Sequence, residues 1–207
     1  MSRMINGVFP GILQPNHIVG GCIAIYENAW PNPLDTIKKI EDDCADPNTS
    51  SSWLSAETIG EGTQQNARTN LNIGVTHHAQ NQKNVTMQNI HNQYYMLLLA
   101  ATQSYVNQFN IHEALYHEGY NILKYSDGQQ YSAHYDGGTD TSRAISALIY
   151  LNDDFEGGET EFINFDLKIK PQKGMLILFP SNFAYSHVAH PVTSGTKYAL
   201  VTWILDR

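Results

Sequence analysis

Charge is scarce in this chain. Asp, Glu, Lys and Arg together make up only 15% of its 207 residues, so much of the surface must be neutral and polar. The charge present is mostly acidic. Lys and Arg number 12 against 20 Asp and Glu, giving a formal net charge of -8 and a pI near 5.5. A nucleic-acid partner ordinarily requires a basic face, and none is expected here. Cysteine is equally sparse. Cys22 and Cys44 lie far apart without CxxC spacing, which excludes a disulfide framework and a thiolate zinc site. No apolar run approaches a membrane span, and the opening residues MSRMINGVFPGIL lack the apolar core of a signal peptide. The expectation is a soluble cytoplasmic protein with no membrane partner.

What is present is enough apolar residue, 42%, for one sizeable core. Residues 1–21 read as an entry strand and turn, and CIAIYENAW (22–30) as a short strand. Behind Pro31 and Pro33, Leu34, Ile37 and Ile40 recur at helical spacing. Asp46–Ser52 is a polar loop. Residues 53–78 show no clear period and read as loop with short strand. A long helix starts at Thr86, a competent cap, and runs to about Phe109. From Tyr120 the texture changes. Eight short β-rich runs follow, near 120–125, 131–136, 143–151, 160–164, 166–170, 175–180, 185–191 and 197–204, separated by Gly, Pro and Asp turns. Eight strands fit a jelly roll. The expected protein is therefore mainly β, one domain over 1–207, with N-terminal helical support (1–116) and a jelly-roll core (117–207).

Chemistry concentrates around His134-Tyr135-Asp136. On a strand, residues i and i+2 share a face, so imidazole and carboxylate would converge. His187 is a candidate third ligand, with His190 as its rival. Two histidines and a carboxylate on one side of a metal form the facial triad of non-haem Fe(II) oxygenases. Such a set can also hold catalytic zinc. Strand parity places Asn121, Leu123 and Tyr125 on one face, and Lys197, Ala199, Val201 and Trp203 on another. Lys197 interrupts an otherwise apolar strand. Burying its ammonium is costly without an anion, and a ligand carboxylate would supply one.

Tyr125, Gly128-Gln129-Gln130-Tyr131 and His134-Tyr135-Asp136 resemble the first half of the prolyl 4-hydroxylase-type 2-oxoglutarate/Fe(II) dioxygenase signature. YLNDDFEGGETEF (150–162) resembles the middle of that family's barrel. LILFPS, His187, Pro191, Val192, Gly195 and Lys197 resemble its end. The likeness covers about residues 117–205 and is closest in texture to bacterial and phage-borne members. It implies a double-stranded β-helix, with host cytoplasm as the location if the chain is phage-encoded. It implies Fe(II) on His134, Asp136 and His187. His187 is preferred over His190 because it stands at the family's spacing from the Pro and from Lys197. The cosubstrates would be 2-oxoglutarate and O2, with ascorbate supporting activity. Lys197 and Tyr125 would bind the distal carboxylate of 2-oxoglutarate. Succinate and CO2 would leave as an unactivated C–H is hydroxylated. Halogenating relatives lack the metal-binding carboxylate; Asp136 retains it, so hydroxylation is expected.

The implied substrate is a peptidyl proline, with a free amino acid or other small molecule as the alternative. Tyr131, Arg68 and Trp203 are candidate substrate or pocket residues. Arg68, in ARTN, resembles a basic residue ahead of the barrel in this family, although a surface role explains it equally. Tyr125 and Tyr131 could also be ordinary sheet aromatics. His77 and His78 would diverge on a strand, and His91, His112 and His117 lack partners at ligand spacing. Gly157-Gly158 reads as a turn. The loop GGTDTSR could move over substrate or simply turn. Two other classes fit parts of the sequence. A metal hydrolase would leave Lys197 and Tyr125 unexplained, and a non-catalytic jelly-roll binding module would not need the triad and its lysine.

Overall fold

The structure is a computed structural model that describes residues 13–56, 67–80, 84–111, 115–138 and 142–206. The start of the expected entry strand, much of the Gly/Thr-rich stretch, His112 and the middle of the GGTDTSR loop lie outside the described residues. Alternating apolar and polar residues build two antiparallel sheets that share a core. The larger sheet runs β1 (His17–Val19), β2 (Ile23–Tyr26), β12 (Leu176–Pro180), β8 (Arg143–Tyr150), β15 (Lys197–Asp206), β6 (Asn121–Tyr125), β4 (Leu71–Gly74) and β3 (Leu54–Ser55). β5 (Leu115–His117) pairs with the far end of β15. The smaller sheet runs β11 (Leu167–Ile169), β10 (Thr160–Phe162), β13 (His187–Ala189) and β7 (Tyr131–His134). A short pair, β9 (Glu156–Gly157) and β14 (Val192–Ser194), stands apart.

Residue parity divides the large sheet between two cores. On β8, Ile145, Ala147 and Ile149 face the helices, while Tyr150 faces the small sheet with Phe162, Ile169, Ile177 and Phe179. On β15, Leu200 and Ile204 face the helices, and Ala199, Val201 and Trp203 face the roll's interior. Each fully buried Leu or Ile contributes roughly 1.5–3 kcal/mol. The helices are α1 (Pro33–Ala45), α2 (Val75–Ala79) and α3 (Val85–Phe109). The 25 residues of α3 contain no Gly or Pro. Tyr94, at its centre and fully buried, donates to Leu200 O at 3.3 Å and so ties the helix to β15.

Several expectations need correction. The cap of α3 is Asn84, not Thr86; its side chain accepts from Met87 N at 2.9 Å, and Asn caps more strongly than Thr. The helix expected behind Pro33 is present as α1, where Ile40 of the apolar trio is buried and Leu34 is exposed. The inward face uses Thr36 and Asp43, satisfied by Trp30 Nε1 at 2.9 Å and Asn84 Nδ2 at 3.0 Å. His77 and His78 sit on the unexpected helix α2, with their rings in edge contact rather than diverging. Strands β1, β2, β3 and β4 of the N-terminal part join the large sheet, in the regions where short strands were expected.

Candidate active site

His134 ends β7, and Asp136 lies in the bend beyond it. The pair therefore does not share one strand as expected. The chain leaves the sheet because Gly137 N donates to Ser181 O at 2.7 Å. A Cβ at Gly137 would stand 3.0 Å from that oxygen, so glycine permits the close approach. His187 opens β13, directly opposite His134 across the ladder. Asp136 Oδ1 is 3.6 Å from His134 Nε2, and Oδ2 is 3.9 Å from His187 Nε2. All three donors lie within 4.8 Å of one another. Adjacent ligands of an octahedral ion at about 2.1 Å stand about 3 Å apart, so a small contraction closes this set on a cation.

The hydrogen bonds fix the tautomers. His134 Nδ1 is 2.8 Å from Ser132 O, and His187 Nδ1 is 3.1 Å from Tyr185 O. A carbonyl only accepts, so both Nδ1 atoms carry a proton and both Nε2 atoms are turned to the cluster. Burial, aided by the neighbouring His187, pushes His134 down to about 4, which keeps it neutral at pH 7. Burial pushes Asp136 upward, but His187, His134 and Ser146 outweigh it and hold the carboxyl below its usual range. The donor set is two imidazole nitrogens and one carboxylate oxygen, which suit a divalent cation.

Tyr131 stacks on His134 with centroids 3.5 Å apart, and Arg68 lies over Tyr131 at 4.9 Å. Arg68 also bridges to Tyr131 through the backbone. Trp203 stands opposite Ser146 in the ladder and carries the Arg143 guanidinium 3.5 Å above its ring. Its Nε1 is buried without a hydrogen bond of normal geometry, yet its N–H lies near enough to Asp136 to favour the ionised carboxylate. His190 points elsewhere and pairs with Glu161.

The same interior face of β15 holds Lys197, only 2% exposed. Its Nζ donates to Gly158 O at 2.6 Å and lies 5.4 and 5.3 Å from the rings of Tyr125 and Tyr150. No ion pair reaches it among the described residues. Burial lowers its pKa to about 7, with Glu159 as the opposing charge. Gly157 and Gly158 both have positive φ, +72° and +67°, which the turn delivering that carbonyl requires. Burial keeps the Tyr125 phenol protonated and able to donate.

Tyr150, Ser146 and Ser181 were not anticipated from the sequence. Parity along 143–151 puts Ser146 and Tyr150 on one face, a signal that was available for both. Ser181 lies past the end of β12, where parity says nothing.

Residues 120–205 match the family model of the 2OG-Fe(II) oxygenase superfamily. The same region is similar to prolyl 4-hydroxylases. It is 38% identical over 119 residues to probable prolyl 4-hydroxylase 9 of Arabidopsis thaliana, covering 44% of this chain and 41% of the relative. It is 33% identical over 110 residues to a putative prolyl 4-hydroxylase of Acanthamoeba polyphaga mimivirus, covering 44% and 46%. The chain thus spans under half the length of these relatives. Among solved structures, a viral collagen prolyl hydroxylase from Paramecium Bursaria Chlorella virus-1, in complex with 2OG, superposes with TM-score 0.59 at 19% identity, covering 91% of this chain and 98% of that one. A Trichoplax adhaerens prolyl hydroxylase bound to a hypoxia inducible factor peptide fragment gives 0.67 at 17% identity, covering 90% and 84%. These neighbours show the fold, the double-stranded β-helix. Among the described residues, no helix is long and apolar enough to cross a membrane.

Proposed function

We propose that the chain is an Fe(II)- and 2-oxoglutarate-dependent dioxygenase that hydroxylates a peptidyl proline. The observation that carries this reading is Lys197. A buried ammonium with no carboxylate partner shares one interior with a His/Asp/His cluster. A metal hydrolase needs the cluster and has no use for the amine. A cosubstrate with a metal-chelating end and a distal carboxylate uses both.

His134, Asp136 and His187 would hold Fe(II). Bound there, it would supply redox chemistry with O2 and the 2-oxoacid end of the cosubstrate. The chain's own residues do the rest. Ser132 O and Tyr185 O hold the imidazoles with Nε2 free. Asp136 supplies one negative charge. Lys197 receives the distal carboxylate as a point charge, and Tyr125 donates a neutral hydrogen bond to it. Tyr131, with Arg68 above it, and Trp203 offer aromatic surface beside the metal ligands to the substrate. A peptide substrate is supported by the prolyl 4-hydroxylase relatives and by the peptide bound in the Trichoplax neighbour.

Anaerobic titration with Fe(II) and 2-oxoglutarate tests the assignment. A weak visible charge-transfer band should grow to one equivalent. With O2 the protein should slowly form succinate even without substrate, for longer with ascorbate, and Zn(II) should inhibit. Proline-containing peptides should then gain 16 mass units. O2-independent turnover with Zn(II) alone would replace this reading with the hydrolase.

A further inference from the structure

Resting on the metal assignment above, we propose that Ser146, oriented by Ser181, is a positioning residue that holds Asp136 in one-oxygen ligation. Ser146 Oγ donates to Asp136 Oδ2 at 2.6 Å, and it is 2.8 Å from Ser181 Oγ. A serine hydroxyl has one proton. Since Ser146 spends its proton on the carboxylate, the second bond must run from Ser181 to Ser146. The chain is directional: Ser181 Oγ–H to Ser146 Oγ, and Ser146 Oγ–H to Asp136 Oδ2. Both serines are 1% exposed, so water does not substitute for either.

The backbone builds this arrangement from three segments. Ser146 faces the interior from β8, opposite Phe179 on β12 and Trp203 on β15. Ser181 follows β12, with its N–H on Ala144 O at 2.9 Å and its carbonyl on Gly137 N at 2.7 Å. One residue thus fixes both the hydroxyl relay and the bend that carries Asp136. Each of the three metal donors then has a hydrogen-bond support: a carbonyl for each imidazole and the Ser146 hydroxyl for the carboxylate. A carboxylate with one oxygen committed to a short donor bond presents only the other to a cation. That leaves the remaining coordination positions for the cosubstrate and O2. A carboxylate freed of Ser146 can rotate and chelate through both oxygens, closing one of them.

Mn(II) binding, followed by calorimetry and by loss of the free-ion paramagnetic resonance signal, tests this without turnover. Ser146→Ala should raise the Mn(II) Kd about 10–100-fold in protein shown by circular dichroism to be folded. Ser181→Ala should raise it about 2–10-fold, and Ser146→Thr should restore most of the loss. With 13C-labelled aspartate, the infrared difference spectrum on Mn(II) addition reports the ligation mode. The gap between the antisymmetric and symmetric carboxylate stretches of Asp136, identified by its absence in Asp136→Ala, should narrow in Ser146→Ala as both oxygens engage. If Ser146→Ala does not fold, Ser181→Ala and Ser146→Thr decide by the same two readouts. A Kd within twofold of wild type, or a weakened Kd with wild-type splitting, overturns the positioning role. Failure of the wild-type protein itself to bind Mn(II) overturns the metal assignment and this inference with it.

Discussion

Two buried polar sites share the interior of the roll, and folding completes only one of them. At the His134/Asp136/His187 end every donor is supported from behind: Ser132 O and Tyr185 O hold the imidazoles, and Ser146 holds the carboxylate. The one charge there is already satisfied, since the ionised Asp136 accepts from Ser146 Oγ at 2.6 Å. At the Lys197 end a single ammonium meets one carbonyl and two aromatic rings, with no anion in contact among the described residues. Burial therefore lowers Lys197 to about 7, whereas the net effect on Asp136 is to keep it charged. On the proposed function the first end is a metal cradle whose supports are already in place, and the lysine end is a charge deficit that the cosubstrate would fill, trading stability for recognition.

The largest expected effect breaks the finished end. His134→Ala, Asp136→Ala or His187→Ala should each abolish Fe(II)-dependent succinate formation while circular dichroism shows the fold retained. Mn(II) binding in any of the three at wild-type affinity would remove that residue from the ligand set.

The next breaks the unfinished end. Lys197→Met keeps much of the bulk and removes the charge. A charge-assisted hydrogen bond contributes about 1.5–3 kcal/mol, so the 2-oxoglutarate Kd should rise about 10–100-fold, with Mn(II) affinity nearly unchanged. Lys197→Arg should fall between Met and wild type, because the guanidinium fork needs different room. Calorimetry with Mn(II) in place of iron measures all three. Wild-type cosubstrate affinity in Lys197→Met would leave the metal site without a partner.

Proton linkage sharpens the same contrast. The folded pKa of Lys197, about 7, lies below the value near 10.4 expected when unfolded. Between these values the unfolded chain binds a proton that the ligand-free fold does not, so this residue makes stability rise with pH. Its cost is complete below about pH 7, on the order of a few kcal/mol, and is relieved toward pH 10. Lys197→Met should therefore stabilise the ligand-free protein most at pH 6 and least near pH 10, as denaturant melts would show. A stabilisation independent of pH would mean that Lys197 keeps an ordinary pKa. Cosubstrate binding above pH 7 must also bring a proton, so 2-oxoglutarate affinity should fall from pH 7 to pH 9 in wild type more steeply than in Lys197→Met.

Tyr125→Phe removes one neutral donor and should weaken 2-oxoglutarate about 2–10-fold. An unchanged Kd would assign Tyr125 to core contact with Leu123 and Val201 alone.

The finished end was more legible in sequence than its supports were. His134, Asp136 and His187 stand out by residue type, and the interior face of 197–203 by parity. The faces assigned to β6 and β15 match the structure because alternation on a half-buried strand has one solution. Parity failed where the chain leaves the sheet: Asp136 and Ser181 both lie past strand ends. The cap of α3 was misplaced because Asn84 and Thr86 are both competent and only geometry separates them. On α1 the apolar spacing located the helix, while the inward turn of Thr36 and Asp43 depends on side-chain hydrogen bonds that spacing does not show. The strands β9 and β14 are too short for any period.

The smallest expected effect belongs to His190, three residues beyond His187, and it tests the comparison through a histidine outside both ends. Its Nε2 pairs with Glu161 Oε2, and its backbone N–H donates to Glu159 O at 2.9 Å. The ring is turned toward a carboxylate that Lys168 also approaches, at 3.6 Å, on the outer side of the small sheet. That contact is partly exposed, and such pairs contribute little. His190→Ala should keep 2-oxoglutarate turnover within about twofold of wild type and leave Mn(II) binding unchanged, the two results expected when a substitution touches neither ligand nor pocket. The decisive measurement is succinate formation by His187→Ala and His190→Ala side by side under saturating Fe(II). An inactive His190→Ala beside an active His187→Ala would exchange the third ligand. It would also undo the contrast drawn above, because the histidine held by Tyr185 O would then have been positioned for nothing.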